Sequence, residues 1–124
     1  MHVETLVIRG YRDTEVPTRF ILQDGGARRL AIMFPGLIYS CDGPLLYFAT
    51  SALLSRGVDV FQLECSYGRR QDYSGCSPEE QAQWLIEDAV TAVEGALRRQ
   101  RYERIWLIGK SLGTITMGHL LTTD

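Results

Sequence analysis

The chain has 124 residues, of which 45% are hydrophobic and 23% are charged. This length suits a single domain and excludes two independent ones. The composition is that of a folded globular protein rather than a disordered segment. A formal net charge of -2 supplies no basic field, so it disfavours nucleic acid and anionic membrane surfaces as partners.

The amino-terminal sequence shows neither a secretion signal nor a membrane span. Met1–Glu4 leads directly into strand-like sequence, and no apolar run in the chain approaches about 18 residues. A cytoplasmic location is therefore expected. Cys41, Cys65 and Cys76 are odd in number and form no C-x-x-C pair, so we expect reduced thiols, no disulfide framework and no metal or other cofactor.

Two strand-like segments open the chain. Residues 3–9 and 16–22 are rich in β-branched side chains and roughly alternate in polarity, which predicts a pair of strands. Pro17 has no backbone donor, so the second strand should lie near an edge or begin at that residue.

Strand and helix then alternate along the rest of the chain. In order, the patterns predict a buried strand at 30–34, a helix at about 44–56 ended by Gly57, a strand at 58–63, a polar loop at 64–76, a helix from Pro78 capped by Ser77, a buried strand at 105–108 and a helix at 112–121. This alternation predicts an α/β fold, a three-layer sandwich with a mostly parallel sheet.

The motif with chemical content is Gly109-Lys110-Ser111-Leu112-Gly113, which matches G-x-S-x-G. It lies between a buried strand and a helix, the context that this motif requires. Small residues are needed there because the sharp turn brings neighbouring backbone close to the central residue. The Ser111 hydroxyl should then project at the carboxyl end of the sheet, where α/β folds bind their ligands.

With these residues the sequence resembles the α/β-hydrolase family over nearly the whole chain. Phe34-Pro35-Gly36 is similar to the end of the family's third strand, Tyr67-Gly68 to the turn after its fourth strand, and Gly109–Gly113 to its nucleophile elbow. The resemblance implies an α/β-hydrolase-like fold in one domain over residues 1–124, truncated after the fifth strand and the helix that follows it, and therefore incomplete at the carboxyl end.

The resemblance also implies an activity, the hydrolysis of an ester, thioester or amide through an acyl-enzyme. Ser111 would be the nucleophile, and the backbone N–H groups of Leu112 and Leu37 would form the oxyanion hole. The segments 37–43 and 65–76 would shape the pocket for a small-molecule acyl substrate.

The family's acid and histidine follow later strands, which this chain does not contain. His119 lies eight residues beyond Ser111, roughly 12 Å along a helix, and is out of hydrogen-bond reach. His2 precedes the first predicted strand and has no evident path to the motif. Lys110 is expected to be a solvated charge, and turn or capping roles are expected for Asp42 and Glu64.

Two functional hypotheses remain open from the sequence. The first is a serine hydrolase whose acid and histidine are absent from this chain. In that case the fifth strand would form an exposed apolar edge of the sheet, which a second copy of the chain or a separate carboxyl-terminal segment would cover. The second is a non-catalytic binding or scaffolding domain with the same architecture. A phosphate-binding loop is excluded because Arg104 stands where G-x-x-x-x-G-K-[ST] requires glycine.

Overall fold

The computed structural model describes residues 1–34, 44–63 and 71–109. The elements are β1 (His2–Glu4), a 3-10 turn (Tyr11–Asp13), β2 (Thr18–Leu22), β3 (Arg29–Phe34), α1 (Pro44–Leu54), β4 (Asp59–Leu63), α2 (Gln71–Ser74), α3 (Pro78–Arg99) and β5 (Arg104–Gly109). None of the helices in these ranges has the length and apolar character that crossing a membrane requires. The helix predicted at 112–121 lies outside the described residues.

The five strands form one mixed sheet in the order β1-β2-β4-β3-β5. β2 runs antiparallel to both of its neighbours, and β3 runs parallel to β4 and to β5. The opening strand pair is therefore confirmed, as is the interior position of the apolar strand at 30–34. Pro17 precedes the first residue of β2, which agrees with its missing donor.

Alternate residues of the strands pack on two separate hydrophobic layers. On one face, Leu30, Ile32 and Phe34 join a core that includes Trp84 and other residues of α3. On the other face, Met33 and Val60 pack with Leu46 and further residues of α1. Because the helices cover opposite faces of the sheet, the three-layer α/β architecture is confirmed.

The first strand is shorter than predicted, since β1 ends at Glu4 rather than at residue 9. Beyond it the chain turns away from the sheet to pack on α3. The Tyr11 ring lies 4.9 Å from the Trp84 ring, and the Tyr11 backbone N–H donates to the Asp88 carboxylate at 2.8 Å. Apolar alternation does not show this because the segment buries its side chains against a helix instead of a neighbouring strand.

Gly10 permits this close approach between the turn and α3. A Cβ at this position would collide with the Asp88 carboxylate and lie 2.8 Å from a Val16 methyl group. We expect Gly10→Ala to lower the free energy of unfolding by about 1–3 kcal/mol, the usual cost of overpacking a filled site. Urea denaturation of the two proteins measures this difference, and an unchanged midpoint would show that the turn moves away freely.

The two helix ends predicted from local signals agree with the structure. The Ser77 hydroxyl accepts from the backbone N–H of Glu80 at 3.2 Å, with Pro78 at the first helical position. The Glu80 carboxylate is engaged elsewhere, by the Arg12 guanidinium at 2.9 Å. Gly57 has a φ of +76° after α1 and donates to the Leu54 carbonyl at 3.1 Å.

In the described part of the stretch predicted as a polar loop at 64–76, residues Gln71–Ser74 form a short helix, α2, instead of a loop. Tyr73 of this helix is buried, and its ring meets the Trp84 ring edge-on at 5.8 Å. The Cys76 thiol is free and donates to the Asp72 carbonyl at 3.2 Å. This part of the stretch therefore packs into the core through Tyr73, while residues 64–70 lie outside the described ranges.

An ion pair joins the end of α3 to β1. The Arg99 guanidinium donates to both Glu4 carboxylate oxygens, at 2.8 and 2.7 Å, and these hydrogen bonds hold the pKa of Glu4 below its ordinary value of 4.5. Since the folded-state pKa is lower than the unfolded one, the stabilisation is complete above about pH 4.5 and is lost as pH falls through the folded-state pKa.

We therefore expect Glu4→Gln to lower the melting temperature slightly at pH 7 and to leave it unchanged at pH 2, where both proteins are uncharged at this position. Thermal denaturation followed by circular dichroism at the two pH values tests this. An equal shift at both pH values would mean that the charge of Glu4 contributes nothing.

Candidate functional site

The carboxyl ends of β3 and β5 lie side by side. Their parallel register pairs Phe34, the last residue of β3, with Gly109, the last residue of β5. Neighbouring strands are about 4.8 Å apart. The two strands that precede residues 35 and 110 therefore end at adjacent positions of the sheet.

The connections on the two sides of β3 diverge at this edge. The chain passes from β3 to β4 through α1 on one face, and from β4 to β5 through α3 on the other face. β4 and β5 thus lie on opposite sides of β3. In open α/β sheets, ligands bind outside the carboxyl ends of the strands at such a point of divergence.

The residues predicted to carry the chemistry follow these strand ends directly. Ser111 and Leu112 are the second and third residues after Gly109, and Leu37 is the third after Phe34. All three lie outside the described residues. The same holds for four residues weighed for other roles, Lys110, His119, Asp42 and Glu64.

His2 is the only histidine in the described ranges, and it lies far from this edge. It is the first residue of β1 rather than a residue before it, and it pairs with Leu22 at the opposite end of the sheet. Three strands separate β1 from β5, which corresponds to roughly 19 Å at the usual strand spacing. Its imidazole lies 3.2 Å from the Glu4 carboxylate. His2 therefore cannot serve as the base for a nucleophile at the end of β5.

A buried polar group stands next to the candidate edge and was not singled out from the sequence. Gln62, the penultimate residue of β4, is 2% exposed, and its amide donates to the Thr50 hydroxyl at 2.9 Å. That hydroxyl donates to the Leu46 carbonyl at 2.8 Å and lies 3.1 Å from the Met33 sulfur. The only sequence signal was a glutamine among the apolar residues of a strand that begins with Asp59.

This network holds α1 against the ends of two strands. Met33 and Gln62 are register partners, each one residue before the end of its strand. Thr50 of α1 contacts both side chains. Buried polar groups that are hydrogen-bonded in this way orient the elements they join, so α1 has a defined position relative to the strand from which residue 35 departs.

In the described ranges, no cluster of histidine, cysteine and carboxylate side chains has the geometry of a metal site.

β5 is the outermost of the described strands on its side of the sheet. Two of its apolar side chains are partly accessible to solvent, Ile105 at 40% and Trp106 at 38%. An apolar strand at a sheet edge presents unpaired backbone groups to another segment.

Comparisons with known proteins show the fold from structure alone. No family model matches the chain, and no curated protein matches its sequence. Among solved structures, a lidless α/β serine hydrolase from Xanthomonas campestris superposes with a TM-score of 0.69 at 19% identity, over 94% of this chain and 54% of that one.

Two esterases give the same result. A cold-adapted esterase from an Arctic intertidal metagenomic library has a TM-score of 0.69 at 18% identity, over 98% of this chain and 55% of that one. An esterase of Pyrococcus furiosus has a TM-score of 0.73 at 17% identity, over 99% of this chain and 48% of that one. The chain spans about half the length of these proteins, and its described sheet and helices have the α/β-hydrolase fold.

Proposed function

We propose that this chain carries the nucleophile of a serine hydrolase that cleaves an ester, thioester or amide through an acyl-enzyme on Ser111. The observation that supports this most directly is the register pair Phe34 and Gly109. It brings the starting points of the two segments that contain Leu37 and Ser111 together at the edge where α/β folds bind ligands.

In the proposed reaction, the Ser111 oxygen attacks the carbonyl carbon of the substrate and its proton passes to a general base. The oxyanion that forms accepts hydrogen bonds from the N–H groups of Leu112 and Leu37. Loss of one such donor typically raises the barrier by about 2.7–4 kcal/mol. The leaving group departs with the proton held by the base, and the acyl group stays on the Ser111 oxygen. Water then attacks the acyl carbon and gives its proton to the same base. The bond to Ser111 breaks, the acid is released, and the Ser111 oxygen regains the proton.

The base and its acid partner are proposed to come from residues beyond these 124. His2 is excluded by its position at the far end of the sheet, and His119 by its spacing from Ser111. The similar hydrolases are about twice as long as this chain. We further propose that a separate carboxyl-terminal segment, or a second copy of the chain, covers the β5 edge at Ile105 and Trp106.

A fluorophosphonate probe tests the proposal, because it modifies only serines whose hydroxyl is activated. The experiment uses the protein encoded by the complete reading frame. Peptide mass spectrometry then locates the modified residue. We expect one modified serine, Ser111. Ser51→Ala, which removes an exposed hydroxyl from α1, is the matched control and should label as the unchanged protein does.

Two results would overturn the proposal. One is a cooperatively folded protein that remains unlabelled at Ser111, which would favour the non-catalytic binding domain instead. The other is label on a serine outside the motif, which would move the nucleophile elsewhere in the fold.

A further inference from the structure

Arginines are concentrated at the end of the sheet where the parallel strands β3, β4 and β5 begin, opposite the candidate catalytic site. The segments 24–29, 55–59 and 98–104 together contain seven of the chain's thirteen basic residues and only three carboxylates. These segments lie where α1 and α3 end and where β3, β4 and β5 begin, and we call this region the arginine pole. A protein of net charge -2 thus has a locally basic surface.

Of the seven basic side chains, Arg99 is paired with Glu4 of β1, and the carboxylates of the three segments themselves do little to cancel the charge of the others. Asp24 binds the amino terminus of Met1. Asp59 is fully buried, and it accepts hydrogen bonds from the Gln23 backbone N–H at 2.7 Å and from the Tyr102 hydroxyl at 2.6 Å. Burial and this hydrogen bond raise the pKa of Tyr102, so its hydroxyl remains a donor. Glu103 is therefore the one exposed carboxylate of the three segments that has no such partner in the described ranges.

A cleft of about 480 Å³ opens in the arginine pole, lined by the segment 25–29 with Gly57 and Gln100. Its volume lies in the range of small-molecule sites. The Gln100 amide lies 3.4 Å from the buried Asp59 carboxylate and directs its donor toward it. The lining residues therefore include two arginines, Arg28 and Arg29, and no residue with a carboxylate side chain.

Arg29 is held in place before any ligand arrives. Its guanidinium donates to the Arg56 carbonyl at 2.8 Å and lies 5.6 Å from the centre of the Trp106 ring. One hydrogen bond leaves most of its five donors available. A guanidinium already fixed by its neighbours loses less conformational entropy on binding than a mobile one.

Arg28 supplies a second cation beside the first. It is exposed, and no carboxylate in the described part of the chain lies within ion-pair distance of Arg28 or Arg29. The carbonyl groups at the end of α1 would repel an anion, but those of Leu54 and Arg56 already accept from Gln23 and Arg29. These two hydrogen bonds partly neutralise the negative partial charge that the carbonyl oxygens present to the cleft.

From the cleft and its two arginines, neither of which pairs with a carboxylate among the described residues, we infer a binding site for a small phosphate-bearing molecule, separate from the candidate catalytic site. Arginine is suited to phosphate oxygens because its planar group donates two parallel hydrogen bonds. Two adjacent arginines match a ligand with two phosphoryl groups, one for each side chain. The inference does not depend on the chemistry proposed for Ser111.

Isothermal titration with inorganic pyrophosphate at constant ionic strength tests this site. We expect saturable binding to one site per chain. Arg28→Ala should weaken it about tenfold or more, as expected for the loss of charge-assisted hydrogen bonds. Arg98→Ala removes the same charge from the arginine pole outside the cleft and should change the affinity by about twofold or less.

Arg29→Lys separates charge from geometry, because it keeps the cation and removes the planar group. We expect weaker binding of pyrophosphate here too. Absence of saturable binding to the unchanged protein would overturn the inference. So would equal weakening by Arg28→Ala and Arg98→Ala, since that result would show only a diffuse basic field.

Discussion

Replacing Ser111 by alanine is expected to abolish ester hydrolysis, with kcat falling on the order of 10⁶-fold, as when the nucleophile of a serine protease is removed. The alanine variant keeps any substrate binding and both proposed oxyanion donors but has no oxygen to form the acyl-enzyme. Turnover of p-nitrophenyl acetate by the protein encoded by the complete reading frame measures this loss. The fluorophosphonate label should disappear in the same variant.

The Ser51→Ala control should retain full turnover, because Ser51 is exposed on α1 and belongs to no part of the proposed site. Folding of both variants is checked by their melting temperatures, which should match that of the unchanged protein. Hydrolysis that survives Ser111→Ala in a purified, folded sample would disprove a nucleophilic role for this serine.

Trp84→Ala is expected to cause the largest loss of stability, about 3–5 kcal/mol in the free energy of unfolding. Trp84 is 1% exposed and lies between the rings of Tyr11 and Tyr73, at 4.9 and 5.8 Å. Its removal leaves a cavity where the 3-10 turn, α2 and α3 meet. Urea denaturation at neutral pH gives the difference in free energy of unfolding.

Trp106→Ala provides the matched control for this prediction. The same side chain is removed, but Trp106 is 38% exposed on β5, so less apolar surface is lost from the core and the cavity opens toward solvent. We expect less than half of the loss seen for Trp84→Ala. Equal losses of unfolding free energy in the two variants would mean that the core between the sheet and α3, where Trp84 is buried, does not dominate the stability of the fold.

Local patterns were sufficient for several elements. Ser77 and Pro78 identify the start of α3 because capping involves only neighbouring backbone groups. The unbroken apolar runs at 30–34 and 105–108 identified β3 and β5 as strands. The burial expected of both is found for β3, which is covered on both faces. It is not found for β5, where Ile105 and Trp106 are 40% and 38% exposed because β5 is the outermost of the described strands. The helix expected after the G-x-S-x-G motif lies outside the described residues, so the strand-to-helix context of the motif stays a prediction.

Other features depend on partners that are distant in the sequence. β1 stops at Glu4 because the following residues pack on Trp84 and Asp88, more than 70 positions away. The short helix α2 is stabilised by packing of Tyr73 on the same tryptophan. Gln62 gained its role only when Thr50 of α1 was placed opposite it.

By itself, the amino-acid sequence determined the alternation of strands and helices, their apolar faces and the position of the serine motif after an apolar strand, because these depend on local spacing and backbone sterics. Only the tertiary structure decided that β5 pairs with β3 rather than with β4, and thereby that the strand ends Phe34 and Gly109 lie side by side. It likewise brought arginines from three separate segments to one edge. Strand order and surface charge depend on how whole layers pack, which no local window of sequence contains.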